Sequence, residues 1–268
     1  MSLKTILALA LSALAAPAAA CPGSDAPCEV AGGSYRAEAP EGPVRGALLF
    51  LHGWGGTAEG VLADRRLAAP ALARDYVMLA PQGVPRRRGE SGGRWNARYG
   101  GETRDDVAFL RRVLDDAAIR FGFDRDQVLA AGFSGGGMMV WRLACDAPEA
   151  AGAFAPVAGL FWRPLPKACS GAARLMHTHG WSDPVVPLEG RPVGDGTLTQ
   201  GDLFEGLALM RRTNRCADDR PDRISDEPGR LRRDWTDCAA SLALVLHPDG
   251  HVVPEGWTDL ALDWLEAR

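Results

Sequence analysis

Long apolar runs are scarce in this sequence. The main one, from Ile6 to Ala16, falls short of the ~20 residues that a membrane-spanning helix needs. No C-x-x-C pair occurs, which argues against a zinc site. Positive charge is not in excess either. The formal net charge is −4, and the Arg86-Arg87-Arg88 run sits in a Gly-rich stretch that reads as a solvated loop. Nucleic acid and anionic membranes are therefore not the expected partners. No internal repeat and no linker-like segment divides the chain, so one domain is expected. Its 268 residues, 46% hydrophobic and 24% charged, are enough to build a large core. Tyrosine is rare, with three against eight tryptophans.

The N-terminus carries Lys4, the apolar run and then Ala18-Ala19-Ala20, the pattern of a signal peptide cleaved after a small residue. Residues 1–20 are expected to direct export, leaving 21–268 as a single catalytic domain that is secreted or periplasmic. All six cysteines, Cys21, Cys28, Cys145, Cys169, Cys216 and Cys238, follow that point. An even number in an exported chain suggests disulfides. Proximity favours Cys21–Cys28, Cys145–Cys169 and Cys216–Cys238. Lipid anchoring at Cys21 is the lesser alternative: it would leave an odd number, and Ala18 stands where leucine is usual.

Short apolar runs bounded by turn residues read as buried strands. Gly46–Leu51, Tyr76–Ala80, Gln127–Ala131, Ala151–Ala158, Ala173–Thr178 and Leu242–Leu246 fit, with Ser34–Glu38 weaker. Helical spacing marks Ala58–Arg74, interrupted at Pro70, and Thr103–Phe121, with Thr103 and Asp106 as an N-cap box and Gly122 as stop. Met138–Cys145, Leu203–Arg212 and Trp257–Ala267 are also helical. Alternation of strands and helices predicts an α/β fold with a mostly parallel central sheet and helices on both faces.

Gly132-x-Ser134-x-Gly136 lies between a strand and a helix. Such a turn is strained, and glycines two residues either side let the chain approach itself while lifting the serine hydroxyl above the sheet. A serine needs a base to become nucleophilic. The hydrolase order is serine, acid, histidine, which leaves His247 and His251. His247 abuts the last strand and reads as a loop anchor; His251 is four residues further on and is the candidate base. The candidate acid is Asp183, after the strand ending at Thr178, with Asp195 and Asp249 as fallbacks. Oxyanion donors are expected from the Trp54 and Gly135 N–H groups. His52 reads as a structural hydrogen-bonder, and His177-x-His179, lacking a third ligand at recognisable spacing, as structural rather than metal-binding. Trp54, Trp95, Trp181 and Trp257 are candidate substrate contacts, and Trp141 a core residue. The loops from Pro81 to Gly101 and from Leu188 to Asp202 should shape the pocket.

The blocks Leu51-His-Gly-Trp-Gly-Gly56, Gly132-Phe-Ser-Gly-Gly-Gly-Met138, Arg142-Leu-Ala-Cys145, His179-Gly-x-x-Asp-Pro-Val-Val-Pro187 and Gly250-His251 together resemble the polyhydroxybutyrate depolymerase and feruloyl esterase group of secreted α/β-hydrolases. The resemblance implies the α/β-hydrolase fold and places nucleophile, acid and base on Ser134, Asp183 and His251. It also implies a carboxylic ester as substrate, of hydroxyalkanoate or feruloyl type, with no cofactor or metal. Two departures touch the pocket: Trp54 stands where the group often has cysteine, and Val253 stands where tryptophan commonly precedes the proline. A serine peptidase and a non-catalytic polyester- or carbohydrate-binding protein are the alternative readings.

Overall fold

A computed structural model of the chain describes residue 21 and residues 26–100, 103–227 and 229–267. Residues 1–20, expected from the sequence to be a signal peptide, lie outside the described residues.

In chain order the strands are β1 (Cys28–Val30), β2 (Gly33–Glu38), β3 (Gly46–Leu51), β4 (Tyr76–Pro81), the short pair β5 (Val84–Pro85) and β6 (Gly93–Arg94), β7 (Val128–Phe133), β8 (Ala153–Val157) and β9 (Leu175–Gly180). There follow the short pair β10 (Pro192–Val193) and β11 (Leu198–Thr199), the hairpin β12 (Arg223–Glu227) and β13 (Arg230–Trp235), and β14 (Leu242–His247). The helices are α1 (Ala58–Ala63), α2 (Arg65–Ala73), α3 (Asp106–Phe121), α4 (Gly135–Asp146), α5 (Leu203–Thr213) and α6 (Trp257–Glu266).

Ten strands form one sheet in the order β1-β2-β4-β3-β7-β8-β9-β14-β13-β12. From β4 to β14 all neighbours are parallel, and both margins are antiparallel. The parallel strands are apolar throughout because both faces are covered. Alternate residues serve opposite layers: Ala47, Leu49 and Leu51 of β3 pack with α3, α4 and α5, whereas Leu48 and Phe50 pack with α1, α2 and α6. The expected α/β architecture, helices on both faces, is what the chain adopts.

Two helix boundaries differ from expectation. The helical stretch from Ala58 breaks at Asp64, not at Pro70, which lies inside α2. Asp64 is extended and its side chain accepts from Arg66 N–H, so it ends one helix and caps the next. Helix α3 begins at Asp106 with Asp105 as its cap, accepting from Ala108 N–H. Thr103 lies outside it, and Asp106 is fully buried, engaged by Asn96 N–H at 2.6 Å and Arg104 Nε at 2.6 Å. That engagement, with Arg142 donating to the Asn96 and Arg98 carbonyls at 2.7 and 2.8 Å, clamps the 94–100 segment over α4.

The six cysteines pair as Cys21–Cys28, Cys145–Cys169 and Cys216–Cys238. The second ties the end of α4 to the loop before β9, the third the end of α5 to the loop before β14. Among the described residues no helix is long and apolar enough to cross a membrane.

Candidate active site

Strand β7 runs straight into α4 through Ser134, whose φ of 55° and ψ of −117° lie outside the usual regions for a side-chain-bearing residue. The turn is held by Ser134 N–H donating to Val157 O at 2.9 Å and by Met138 N–H donating to Ser134 O at 2.9 Å. It is also why position 136 is glycine. A Cβ there would stand 2.1 Å from Leu51 O and 2.7 Å from His52 O, so the helix start could not approach the end of β3.

His251 follows β14 and Asp183 follows β9, its parallel neighbour. Their loops cross closely: a Cβ on Gly180 would fall 2.1 Å from Asp249 O, and Trp181 N–H donates to His247 O at 2.9 Å. As a result, His251 Nε2 lies 2.9 Å from Ser134 Oγ, and its Nδ1 lies 2.7 Å from Asp183 Oδ2. Phe133 packs against the imidazole, ring centroids 4.7 Å apart.

The Asp183 carboxylate is out of water. Burial alone would raise its pKa. His179, the Val186 N–H, His251 and the Val185 N–H outweigh that, and hold the carboxyl well below the usual carboxylate range. Its Oδ1 accepts from Val185 N–H at 2.8 Å and Val186 N–H at 2.9 Å. The charged form at neutral pH is therefore the one the fold builds around, and it fixes the hydrogen on His251 Nδ1. Nε2 is left as an acceptor facing the serine.

Behind the acid runs a chain of fixed direction. Trp141 Nε1–H donates to His177 Nδ1 at 3.2 Å. His177 Nε2 must then carry the hydrogen that bridges to His179 Nδ1 at 2.8 Å. His179 Nε2–H in turn faces Val186 O at 2.8 Å and Asp183 Oδ2 at 3.4 Å. Burial and the neighbouring His179 hold the His177 pKa well below that of a free imidazole. The two histidines are thus structural, as their spacing suggested. So is His52, whose Nε2 accepts from Gly83 N–H at 3.0 Å while its Nδ1 hydrogen goes to Gly53 O at 2.8 Å.

Trp54 N lies 3.5 Å from where a Cβ on Gly135 would be. Among the described residues neither the Trp54 nor the Gly135 N–H has a backbone partner. The pair flanks Ser134 as two free donors, at the start of α4 where the helix dipole adds to them.

A cavity of about 940 Å³ opens on Ser134, lined by Trp54, Trp95, Met138, Trp162 and residues of the 94–103 and 185–200 segments. Both loops singled out in the sequence contribute. Two of the four tryptophan candidates line it, Trp54, 63% exposed, and Trp95, whose Nε1–H is tied to His52 O at 2.8 Å. Trp257 does not. It is 1% exposed, packs edge-on to Phe50 at 5.7 Å and donates to Thr178 Oγ1 at 3.1 Å. Its six-residue distance from His251 spans the turn into α6, which puts the ring beneath the sheet. Trp181 is exposed at the surface and is not part of the lining. Trp162, Met138 and the cationic lining residues Arg94, Arg98 and Arg191 were missed; nothing in their spacing marks them, because helix α4 and three separate segments of the chain bring them together. The fallback acids are elsewhere: Asp195 is at the tip of the β10–β11 hairpin and Asp249 is exposed. His247 is buried with Nδ1 3.5 Å from Asp249 Oδ2.

No protein-family model matches the chain. It is 35% identical over 154 residues to a Nocardia uniformis subsp. tsuyamanensis protein provisionally named esterase NocK, covering 56% of this chain and 43% of that one. It is 27% identical over 178 residues to feruloyl esterase C of Emericella nidulans, covering 65% and 56%. The chain therefore spans about half the length of these relatives. Among solved structures, an acetyl xylan esterase from Aspergillus awamori superposes with a TM-score of 0.66 at 16% identity, over 87% of this chain and 93% of that one. A Bacillus cereus carboxylesterase does so with a TM-score of 0.58 at 18% identity, over 88% and 94%.

Proposed function

From the α/β-hydrolase fold that the chain shares with these esterase structures, we propose that it is a carboxylic ester hydrolase acting through an acyl-enzyme. The observation that carries this reading is the unbroken line Ser134 Oγ, His251 Nε2, His251 Nδ1, Asp183 Oδ2, with links of 2.9 and 2.7 Å, opening on the cavity. Ser134 Oγ attacks the ester carbonyl as His251 Nε2 takes its proton. The imidazolium that forms is stabilised by Asp183, and the carbonyl oxygen, now negative, is received by the Trp54 and Gly135 N–H groups. His251 gives its proton to the departing alcohol, and water, activated by the same nitrogen, releases the acid and restores the serine.

The relatives' names support an ester of feruloyl type, and the aromatic walls of Trp54, Trp95 and Trp162 suit one; a hydroxyalkanoate oligoester fits the same space. Three disulfides suit an oxidising compartment, in keeping with export directed by residues 1–20 and a single mature domain from 21 to 268. The test is Ser134→Ala measured on p-nitrophenyl butyrate, alongside labelling by a fluorophosphonate probe. The wild type should hydrolyse the ester and label, and the variant should do neither. A variant with undiminished turnover would remove the assignment.

A further inference from the structure

The cavity wall is charged in a way that ester hydrolysis alone does not require. The chain as a whole is acidic, with a formal net charge of −4. Yet the residues that line the cavity include Arg94, Arg98 and Arg191 and, among the described residues, no aspartate or glutamate. Three other arginines near the site have carboxylate partners: Arg86 pairs with Glu90, Arg104 with Asp106 and Arg142 with Asp146. The three lining arginines are different. None forms an ion pair among the described residues, and the one side-chain hydrogen bond they make is Arg191 Nε to Val185 O at 2.9 Å. Arg94 is half-buried, and its Nε is shut off from solvent with no hydrogen-bond partner. A guanidinium nitrogen withdrawn from water and left unpaired is costly, and a bound anion is one way to satisfy it.

The backbone around these residues is fixed, so the charges are not on loose loops. Gly93, next to Arg94, exchanges hydrogen bonds with Gly55 and Gly56 beside the Trp54 donor, each at 2.8 Å. Arg98 is held through its carbonyl by Arg142. Arg191 is braced on Val185, whose own N–H holds Asp183. Cations therefore stand on both segments that wall the cavity, each one step from the catalytic elements. Beside them the lining is a mixture: Trp54, Met138, Trp162, Val193 and Leu198 give apolar surface, and Asn96, Thr103 and Gln200 are neutral polar groups.

Resting on the esterase reading, we propose that the preferred substrate is an ester that also carries a free carboxylate, bound by Arg94 with Arg191 while its apolar part lies on Trp54, Met138 and Trp162. Planar, bidentate arginine recognition suits a carboxylate. The anion can sit on either side of the scissile bond: on the acyl chain, as in a dicarboxylic half-ester, or on the alcohol, as at the acid end of a hydroxyalkanoate oligomer.

Two matched pairs separate these sources. Mono-p-nitrophenyl adipate is compared with p-nitrophenyl adipamate, and hydroxybutyryl-hydroxybutyrate with its terminal primary amide. In at least one pair the wild type should favour the carboxylate in kcat/KM by roughly 10- to 100-fold, mostly through KM, as a charge-assisted hydrogen bond warrants. The pair that shows it tells which side carries the anion. The ratio should fall by tenfold or more in Arg94→Gln, or in Arg191→Gln if the first variant does not fold, and should shrink in high salt. Wild-type ratios within twofold of unity in both pairs would overturn the proposal, and so would ratios that neither substitution changes. Failure of the esterase reading looks different: no p-nitrophenyl ester would be cleaved and Ser134 would not take the fluorophosphonate.

Discussion

Replacing Asp183 by asparagine should separate catalysis from stability. In the native site Oδ1 accepts two backbone N–H groups at 2.8 and 2.9 Å, and Oδ2 meets His251 Nδ1 at 2.7 Å. An asparagine can keep its oxygen on the two amides, which have nowhere else to donate. Its NH₂ then faces His251, and Nδ1 must become the acceptor. The ring hydrogen moves to Nε2, where it points at Ser134 Oγ and cannot receive the serine proton. A wrong tautomer of this kind costs about 10⁴ in turnover, or about 5.4 kcal/mol of transition-state stabilisation. Folding should lose less, about 1–3 kcal/mol, because bonds to a charge become bonds to a neutral amide. The pH dependence has a definite sign. The folded pKa of Asp183 is depressed. Its contribution to stability is therefore complete above the unfolded value of ~3.9 and is lost as pH falls through that value towards the folded one. The difference in Tm between wild type and Asp183→Asn should accordingly narrow below about pH 4. The assays are kcat on p-nitrophenyl butyrate near neutral pH and thermal unfolding across the acid range. Turnover within tenfold of wild type would refute the tautomer reasoning, since no other described group holds the Nδ1 hydrogen.

Other substitutions probe the scaffold. Gly136→Ala places a methyl 2.1 Å from Leu51 O, backbone that cannot yield as a side chain would; we expect little soluble protein, and fluorophosphonate labelling at least about 100-fold slower in any that folds, from a cost of several kcal/mol. Wild-type labelling with unchanged Tm would contradict this. Trp257→Ala should cost about 3–5 kcal/mol in urea unfolding while the folded fraction keeps its kcat/KM on a small ester, because the ring lies in the core and not in the cavity. A changed KM with unchanged stability would return Trp257 to the pocket. Removing Cys145–Cys169, which closes a 24-residue separation, through the double alanine variant should cost about 3.4 kcal/mol if loop entropy dominates, measured as a shift in urea midpoint. A shift below about 1 kcal/mol would mean that the unfolded chain is hardly constrained by this bridge.

The parallel core was legible because burial on both faces leaves an unmistakable trace: β3 is a continuous apolar run from Gly46 to Leu51, and β14 from Leu242 to Leu246. The catalytic candidates were legible because chemistry restricts residue type and chain order. Elements at the margins were not. The hairpin β12–β13 is rich in arginine and aspartate, with Arg232 bonded to Asp234 along β13 and Arg233 bonded across to Asp226; strands so rich in charge have no apolar alternation to read. Helix starts were misplaced because Asp105 and Asp106 are chemically alike, and only packing decides that one caps while the other goes inside to hold Asn96 and Arg104. The tryptophans misled for a related reason. Nearness in sequence to a catalytic residue says little about which side of a sheet a ring occupies, and Trp257 and Trp54 lie on opposite sides of that distinction.

The run from Trp141 through His177 and His179 to the acid has a consequence for how the molecule meets acid. Every nitrogen along it already has one role, giver or taker, and no vacancy remains for an extra proton. Adding one to His177 Nδ1 would set two hydrogens face to face against the indole on the helix that bears the nucleophile. Protonation deep in the sheet would therefore strain two parts of the proposed catalytic apparatus at once, the turn that presents the hydroxyl and the loop that presents the carboxylate.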